Sequence, residues 1–339
     1  MQVLGCMQVW LLPPFTLFSI FYLETRRNFL HPPMKKTKIW ISLFLLILGA
    51  CKSPNAKNNP TEANQNVVHI NQLPDIPTEM DFFGEKIDLR DQDVRERLDR
   101  EILVNAYFQS STSLCIKRAA RFFPEIESIL TKEKVPLDFK YLCVIESGLS
   151  NAESPAGAVG FWQFMPFTAE EHNLKINAEV DERRDLKKST QAACELIKSN
   201  YSLFNDWVAA CAAYNRGPGG LRDDMAFQHV NHVFDTELNP ETARYVFRIL
   251  AMKLILSNPK AYGYHIPKNQ CYEAISTKNI LVKKDIPNLA DWAVKHKTNR
   301  KLIRLLNPWI LGNKLTGTSI PCTLKVPIQN GKLGQYVNQ

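Results

Sequence analysis

The sequence lacks the features that mark several simple protein classes. Its eight cysteines include no Cys-x-x-Cys pair, the spacing typical of structural zinc sites. Its 14 glycines and 20 prolines follow no period, which excludes a collagen-like chain. No Lys-Ser/Thr follows the glycines at 217–220, and the pair His229 and His232 lacks the Glu of a zincin motif. The sequence therefore predicts neither a metal site nor a cofactor.

The charge pattern does not favour nucleic-acid binding. The formal net charge is +8, yet residues 1–50 carry five Lys and Arg against Glu24 alone. The rest of the chain holds 37 basic and 33 acidic side chains, so half of the excess lies in the N-terminal segment. With 45% hydrophobic and 22% charged residues and no evident basic helix, the composition predicts a globular protein without a nucleic-acid partner.

The N-terminal segment has the pattern of a targeting sequence. From Met34 it reads MKKTKIWISLFLLILGAC, three lysines followed by the apolar stretch Ile39–Leu48. Ten residues are too short to span a bilayer comfortably as a mature helix, which favours a cleaved signal peptide over residues 34–50. Residues 1–33 contain another apolar run that is broken by two prolines, and we interpret them as a mis-called extension upstream of the true start.

The end of this segment, Leu48-Gly49-Ala50-Cys51, resembles the lipobox of bacterial lipoproteins. The resemblance implies cleavage before Cys51 and lipidation of that residue, with the membrane as a partner through the lipid anchor. An ordinary signal peptide with an incidental cysteine is the alternative. Residues 51–85, rich in Asn, Pro and Thr, predict a flexible tether. Lys52 is not the Asp that retains enteric lipoproteins at the inner membrane, which favours a periplasm-facing protein at the outer membrane.

Residues 86–268 have helical periodicity. Val94, Leu98 and Ile102 fall on one face, and similar apolar spacing continues to about residue 260. Pro136 predicts the start of a helix and Gly148 its end. Convincing alternation of polar and apolar residues is almost absent, so this part is predicted to be mainly α.

The segment 275–330 has a different pattern. Asn279–Val282 and Leu324–Val326 predict short strands, and Leu289–His296 and Arg300–Leu306 predict two short helices between them. This βααβ order resembles a degenerate LysM-type glycan-binding module. A structural appendix packed on the main domain is the alternative.

Six cysteines remain after Cys6 and Cys51 are assigned to targeting. Cys143, Cys194 and Cys211 lie among apolar and small residues in helical patterns, which predicts buried free thiols. Cys271 and Cys322 could pair, and the sequence leaves that open.

Glu146 is the first candidate for chemistry. It follows Leu142, Cys143 and Ile145 near the end of an apolar helix, and Ser147 and Gly148 come next. A carboxyl in such surroundings has a raised pKa and can donate a proton to a glycosidic oxygen. Alone, a Glu at a helix end is more often solvated, so the assignment depends on other segments.

Those segments lie further along the chain. The stretch Ser154–Gln163 contains glycines that permit close backbone approach of a polymer, with Trp162 to face a sugar ring and Gln163 to bind an acetamido group. Tyr214-Asn215 precedes a glycine-rich turn, and Tyr245 falls in a long helical pattern.

Together these motifs resemble the lytic murein transglycosylases, specifically the membrane-bound type D branch of the goose-lysozyme-like group. The motifs occur in the order ES at 146–147, SPxGAxGxWQ at 154–163, AAYNxGxG at 212–219 and ETxxYV at 241–246. The resemblance implies a lysozyme-like (goose-type), mainly α catalytic domain, with Glu146 as sole acid/base. The implied substrate-binding residues are Ser147, Ser154, Gly160, Trp162, Gln163, Tyr214, Asn215 and Tyr245.

The implied reaction is cleavage of the β-1,4 bond between N-acetylmuramic acid and N-acetylglucosamine in peptidoglycan glycan strands, with 1,6-anhydro products. Most glycosidases use two carboxylates, but no second acid has a convincing motif here, and Glu153 is expected to be solvated. A lone acid suffices if the substrate's acetamido oxygen and 6-hydroxyl take part. A hydrolytic lysozyme on the same fold and a non-catalytic wall-binding lipoprotein are the alternatives. The sequence identifies no wall-assembly partner.

Overall fold

The computed structural model describes residues 73–328. The predicted signal peptide, the lipidation site Cys51 and most of the predicted tether lie outside the described residues. Within residues 73–328, no helix is both long and apolar enough to cross a membrane. The α-helices there are α1 (Gln92–Tyr107), α2 (Gln109–Lys132), α3 (Phe139–Ser147), α4 (Pro166–Glu171), α5 (Leu186–Phe204), α6 (Trp207–Arg216), α7 (Pro218–Gln228), α8 (Pro240–Ser257), α9 (Leu289–Lys295) and α10 (Arg300–Leu306).

A β-hairpin precedes the helices. Strand β1 (Glu79–Phe82) pairs antiparallel with β2 (Glu85–Asp88). Phe82 and Phe83 are buried, and the Phe83 ring stacks on that of Phe139 with centroids 4.3 Å apart. The prediction of a flexible tether through residue 85 is therefore wrong at its C-terminal end, because these aromatic side chains attach the hairpin to the core.

Helix α1 packs along α8, as the periodicity of its apolar residues requires. Val94, Leu98 and Ile102 are all buried, which confirms the predicted face. Glu101 is also buried and accepts a hydrogen bond from Nε of Arg244 on α8 at 2.7 Å. A buried carboxylate needs such a partner, so this pair fixes the two helices side by side.

Helix α3 is short and almost entirely buried, and it packs against both α2 and α8. It begins at Phe139 rather than at Pro136, because Phe139 N–H donates to the Pro136 carbonyl in a preceding turn at 3.2 Å. It ends as predicted at Gly148, which has φ +58° in the left-handed region. A side chain there would be strained, so the glycine defines where the last turn of α3 stops.

The glycine-rich segment after α6 contains a helix that the sequence interpretation missed. Gly217, with φ +81°, ends α6, and Pro218 begins α7 directly. Proline is well suited to the first helical position, where its missing N–H costs nothing. The following Gly219 and Gly220 lie in the first turn of α7, although their type indicated a loop.

The C-terminal segment has the predicted βααβ order. Strand β3 (Thr277–Val282) pairs antiparallel with β4 (Cys322–Pro327), and α9 and α10 lie between them in the chain. These elements surround a separate small core that includes Val282, Leu289 and Ile303.

The small core also receives Val180 from the helical domain. Beside it, Asp181 N–H donates to the Trp309 carbonyl and Leu311 N–H to the Glu179 carbonyl, both at 2.8 Å. The carboxylate of Glu179 accepts hydrogen bonds from Thr316 and Ser319. These bonds, those from Thr316 foremost, lower the pKa of Glu179 to about 2, so the connection involves an ionised carboxylate at any ordinary pH.

The cysteines are free thiols throughout residues 73–328. Cys143, Cys194 and Cys211 are buried, as the sequence predicted. Cys271 and Cys322, for which pairing was left open, are both free and partly exposed.

Candidate active site

Glu146 lies in the last turn of α3, and the end of this helix is held from a neighbouring element. The guanidinium of Arg118 on α2 donates to the carbonyl of Gly148 at 2.8 Å. Ser147 contributes locally, since its hydroxyl donates to the Cys143 carbonyl at 3.2 Å and accepts from Ser150 N–H at 3.3 Å. Ser147 therefore shapes the turn after the candidate acid.

Among residues 73–328, the carboxyl of Glu146 has one direct hydrogen-bond partner, the hydroxyl of Tyr245 on α8. Tyr245 is 2% exposed, and the packing of α3 on α8 brings the two side chains together across 99 residues of sequence. Burial raises the pKa of Tyr245 well above its usual value, so the phenol stays protonated and donates. Glu146 itself is only partly buried.

Desolvation raises the pKa of Glu146 to about 7, which agrees with the prediction from the apolar helix. The hydrogen bond from Tyr245 and the positive charge of Arg248 act in the opposite direction, and the negative charge of Glu241 raises the pKa further. A carboxyl with such a pKa is about half protonated at neutral pH, so it can both give and take a proton there.

Three residues on one face of α8 thus act on Glu146. Glu241, Tyr245 and Arg248 are four and three positions apart, the spacing that aligns side chains along a helix. Tyr245 was predicted from the ETxxYV motif, but Arg248 was missed. The available signal was its spacing of three positions from Tyr245 on the same helix. Within residues 73–328, no carboxylate lies within ion-pair distance of Arg248.

Tyr214 connects the candidate site to the loop after α3. Its hydroxyl donates to the Trp162 carbonyl at 2.8 Å, and burial raises its pKa well above the usual value. The thiol of Cys143 on α3 donates to the neighbouring Phe161 carbonyl at 3.3 Å. These two bonds hold residues 161–162 against α3 and α6.

Trp162 is not available to a ligand. Its side chain is 0% exposed, and its Nε1–H donates to the Thr190 hydroxyl on α5 at 2.9 Å. The prediction that it offers a face to a sugar ring is therefore wrong. A buried indole with its N–H satisfied packs the core and anchors the loop.

Gly160 allows the protein's own backbone to approach closely. Its φ is +89°, and a Cβ built on it would lie 2.0 Å from the carbonyl oxygen of Arg183. The glycine is therefore required where the loop contacts residues 183–184, so the close approach that it permits is to the protein's own backbone.

Gln163 is also largely buried, at 8% exposure, with an unusual φ of +50°. Its Nε2 donates to the carbonyls of Ala152 and Gly160 at 3.1 and 2.8 Å, while Oε1 is buried without a partner among the described residues. The N–H donors that were predicted to bind an acetamido group are thus used within the loop, and Oε1 is the polar atom of this side chain that is not used there. Ser154 has a similar local role, since its hydroxyl accepts from Ala158 N–H at 3.0 Å.

Asn215 links the end of α6 to the start of α8. Its Oδ1 accepts from the hydroxyl of Thr242 at 2.8 Å. Thr242 lies one turn before Tyr245, so this bond fixes the part of α8 that faces Glu146. Glu153, which the sequence placed in solvent, is exposed and pairs with Arg184 at 2.7 Å.

Two family models match parts of this chain. Residues 126–232 match the family model described as the transglycosylase SLT domain. The chain contains a transglycosylase SLT domain. The matched range includes α3 with Glu146 and the loop to Gln163, whereas Tyr245 lies beyond it. The prediction of a mainly helical, lysozyme-like domain is confirmed.

Residues 278–329 match the model described as the soluble lytic transglycosylase C-terminal LysM-like domain. The LysM-type interpretation of the tail is thereby confirmed, and the tail also packs on the main domain, as the alternative expected. The chain is also 27% identical over 255 residues to the membrane-bound lytic murein transglycosylase D of Escherichia coli strain K12 and to that of E. coli O6:H1. The similarity covers 73% of this chain and 55% of each relative, so the chain spans about half the length of these curated relatives.

Proposed function

We propose that this protein is a lytic transglycosylase that cleaves the β-1,4 bond between N-acetylmuramic acid and N-acetylglucosamine in peptidoglycan. The observation that carries the proposal is the carboxyl of Glu146, with its pKa raised to about 7 and its hydrogen bond from Tyr245, within an SLT domain. The names of the curated relatives point to the same substrate.

In the first step, protonated Glu146 gives its proton to the glycosidic oxygen, and the bond from that oxygen to C1 of the muramic acid breaks. The 2-acetamido oxygen of the same sugar bonds to C1 in place of the leaving group. The carboxylate formed on Glu146 accepts the Tyr245 hydrogen bond, which stabilises it in the dry surroundings.

In the second step, the Glu146 carboxylate takes the proton of the sugar's 6-hydroxyl. That oxygen bonds to C1 and the acetamido oxygen leaves, which yields the 1,6-anhydro ring and restores protonated Glu146. The hydroxyl is part of the same molecule, so its high effective molarity lets it outcompete water.

A single acid/base is consistent with the position of Glu153. Its side chain is exposed and paired with Arg184, so it resembles neither a buried acid nor a poised nucleophile. We assign Glu146 both proton transfers and Glu153 none.

The test is product analysis by mass spectrometry after digestion of purified sacculi. Wild type should release anhydro-muropeptides, and Glu146→Gln should lower their yield about 10²- to 10⁴-fold, the usual contribution of a general acid/base. Glu153→Gln is the matched control and should retain activity. Products with reducing ends would show hydrolysis and refute the lyase chemistry, and no turnover by wild type would refute the enzyme assignment.

We also propose that the protein is a lipoprotein of the bacterial cell envelope, anchored through Cys51 and sorted to the outer membrane. The lipobox-like sequence and Lys52 support this. Metabolic labelling with an alkyne fatty acid should mark wild type but not Cys51→Ala, and membrane fractionation should recover the label with the outer membrane. An unlabelled protein released to the periplasm would contradict the proposal.

A further inference from the structure

The LysM-like domain and the SLT domain differ strongly in charge. Residues 278–329 contain ten Lys and Arg against two Asp, and no acidic residue occurs after Asp291. Residues 51–277 contain 26 basic and 31 acidic residues, so this part of the chain is net negative. The positive charge of the protein outside its N-terminal segment is therefore concentrated in the small C-terminal domain.

Few of these cations are neutralised by the protein. Lys314 pairs with Glu179 at 3.6 Å and Lys325 with Glu125 at 2.9 Å, and both carboxylates belong to the SLT side. Among the residues that the structure describes, eight basic side chains of the LysM-like domain have no carboxylate within 4 Å. These are Lys278, Lys283, Lys284, Lys295, Lys297, Arg300, Lys301 and Arg304.

Four of the eight lie within seven residues of chain at the connection between α9 and α10. We call Lys295, Lys297, Arg300 and Lys301 the basic corner. The three lysines are exposed, and Nε of Arg300 is buried without a hydrogen-bond partner in the part of the chain that the structure describes. The side chain of Asn299 accepts from Leu302 N–H at 2.9 Å and caps α10, so the backbone of the corner is well defined.

An aromatic pair lies beside the basic corner. Trp292 on α9 is partly exposed, and its ring contacts that of His296 with centroids 4.0 Å apart. Burial lowers the pKa of His296, and the charge of Lys278 on β3 lowers it further, which places a fifth cation near this pair. A partly exposed aromatic face next to cations suits a sugar polymer that carries negative charge.

We propose that the basic corner binds the carboxylates of peptidoglycan stem peptides, while the neighbouring aromatic face contacts the glycan. This inference rests on the proposed function, because it takes peptidoglycan to be the substrate. The stem peptides place carboxylates at regular intervals along the polymer. The SLT side of the chain is net negative, so the C-terminal domain supplies the attraction for an anionic substrate.

The test uses the full-length protein carrying Glu146→Gln, so that binding is measured without turnover. Three substitutions are added at the basic corner, Lys295→Gln, Lys297→Gln and Lys301→Gln. The control carries the same loss of charge outside the LysM-like domain, at three exposed lysines that form no ion pair within residues 73–328: Lys132→Gln, Lys187→Gln and Lys268→Gln. Unchanged thermal unfolding of both triple variants establishes that they are folded.

Binding to purified sacculi is measured by co-sedimentation at 50 and 300 mM NaCl. Exposed charge pairs contribute 0.2–1 kcal/mol each, so the corner variant should bind roughly 3- to 100-fold more weakly at low salt, and the control should bind like the parent. The difference should shrink at 300 mM NaCl, because salt screens exposed charges.

Sacculi whose carboxylates have been amidated with carbodiimide and ammonia separate the two parts of the ligand. The parent protein should bind them as weakly as the corner variant binds intact sacculi. Equal binding of parent and corner variant to intact sacculi, or undiminished parent binding to amidated sacculi, would overturn the proposal. Binding to phosphatidylglycerol vesicles is measured in parallel for the parent and the corner variant. If the corner substitutions weaken only vesicle binding, the proposal is overturned and the corner is assigned to a membrane surface. Anhydro-muropeptide release by wild type is measured separately, so failure of the catalytic proposal is distinguishable.

Discussion

Replacement of Glu146 by Gln should stabilise the protein at alkaline pH while abolishing its activity. The carboxyl has a pKa of about 7 in the folded protein, against 4.5 for an ordinary Glu, and desolvation is the largest cause. Folding therefore opposes ionisation of this group. A neutral amide of similar shape escapes that cost and can still accept the Tyr245 hydrogen bond through its oxygen.

The magnitude follows from proton linkage. Between pH 4.5 and 7 the folded protein holds the Glu146 proton and the unfolded chain has lost it, so the free energy of unfolding falls as pH rises. The shift from 4.5 to about 7 corresponds to about 3 kcal/mol, fully lost above pH 7. Relative to wild type, the Gln variant should gain little at pH 4.5 and up to about 3 kcal/mol at pH 8.

The assay is urea unfolding of both proteins at several pH values from 4.5 to 8, together with activity on sacculi at pH 6. Glu153→Gln is the control: it removes an exposed ion pair with Arg184, so its effect should stay within about 1 kcal/mol without a comparable trend. A difference between wild type and Glu146→Gln that does not grow with pH would refute the desolvated carboxyl. It would then follow that Glu146 is hydrated, and the general-acid role would lose its physical basis.

Three further predictions concern Tyr245 and Arg248, which act on Glu146, and Gly160 in the loop after α3. Tyr245→Phe removes the hydroxyl that donates to the Glu146 carboxylate, and hydrogen bonds to charged groups contribute about 1.5–3 kcal/mol. The kcat of sacculus digestion should therefore fall by roughly 10-fold or more, and an unchanged kcat would contradict this. Arg248→Gln removes a positive charge that lowers the Glu146 pKa. The alkaline limb of the kcat/KM profile, expected near pH 7 in wild type, should therefore move to higher pH. The control Arg222→Gln, on the exposed surface, should leave this limb in place. Gly160→Ala introduces a Cβ 2.0 Å from a backbone carbonyl oxygen at φ +89°, so urea unfolding should show a loss of at least about 2 kcal/mol; wild-type stability would mean that the loop relaxes freely.

The main helices and the candidate acid were accessible from the sequence because their signals are local. Val94, Leu98 and Ile102 repeat at the helical period, and Gly148 ends α3 where its residue type predicts. The helical period and the helix end each depend on residues only a few positions apart in the sequence. The hairpin at residues 79–88 was missed, because its strands have four residues each and their burial depends on Phe139, more than fifty positions later.

The roles of the loop residues were less accessible because distant partners decide them. The sequence gives an indole beside a glutamine, a pair that suits sugar binding, but Thr190 of α5 receives the Trp162 N–H and encloses the ring. Gly160 is similar, since the atom that excludes a side chain belongs to Arg183. A motif thus identifies which residues matter, while their contacts show whether they meet a ligand or hold the fold.

The enclosed loop has a direct consequence for the chemistry. Cys143 and Cys211 are buried and Tyr214 is partly buried, and the charge of Glu146 contributes to the raised pKa of each, so these uncharged groups lie around the carboxyl. None of the three carries a positive charge. They therefore exclude water from the Glu146 carboxylate without offsetting its negative charge. Tyr214 also holds the Trp162 carbonyl, which ties the loop to this dry surrounding. We infer that Tyr214, which the motif suggests as a ligand, belongs to the uncharged surroundings whose desolvation raises the pKa of Glu146 to about 7.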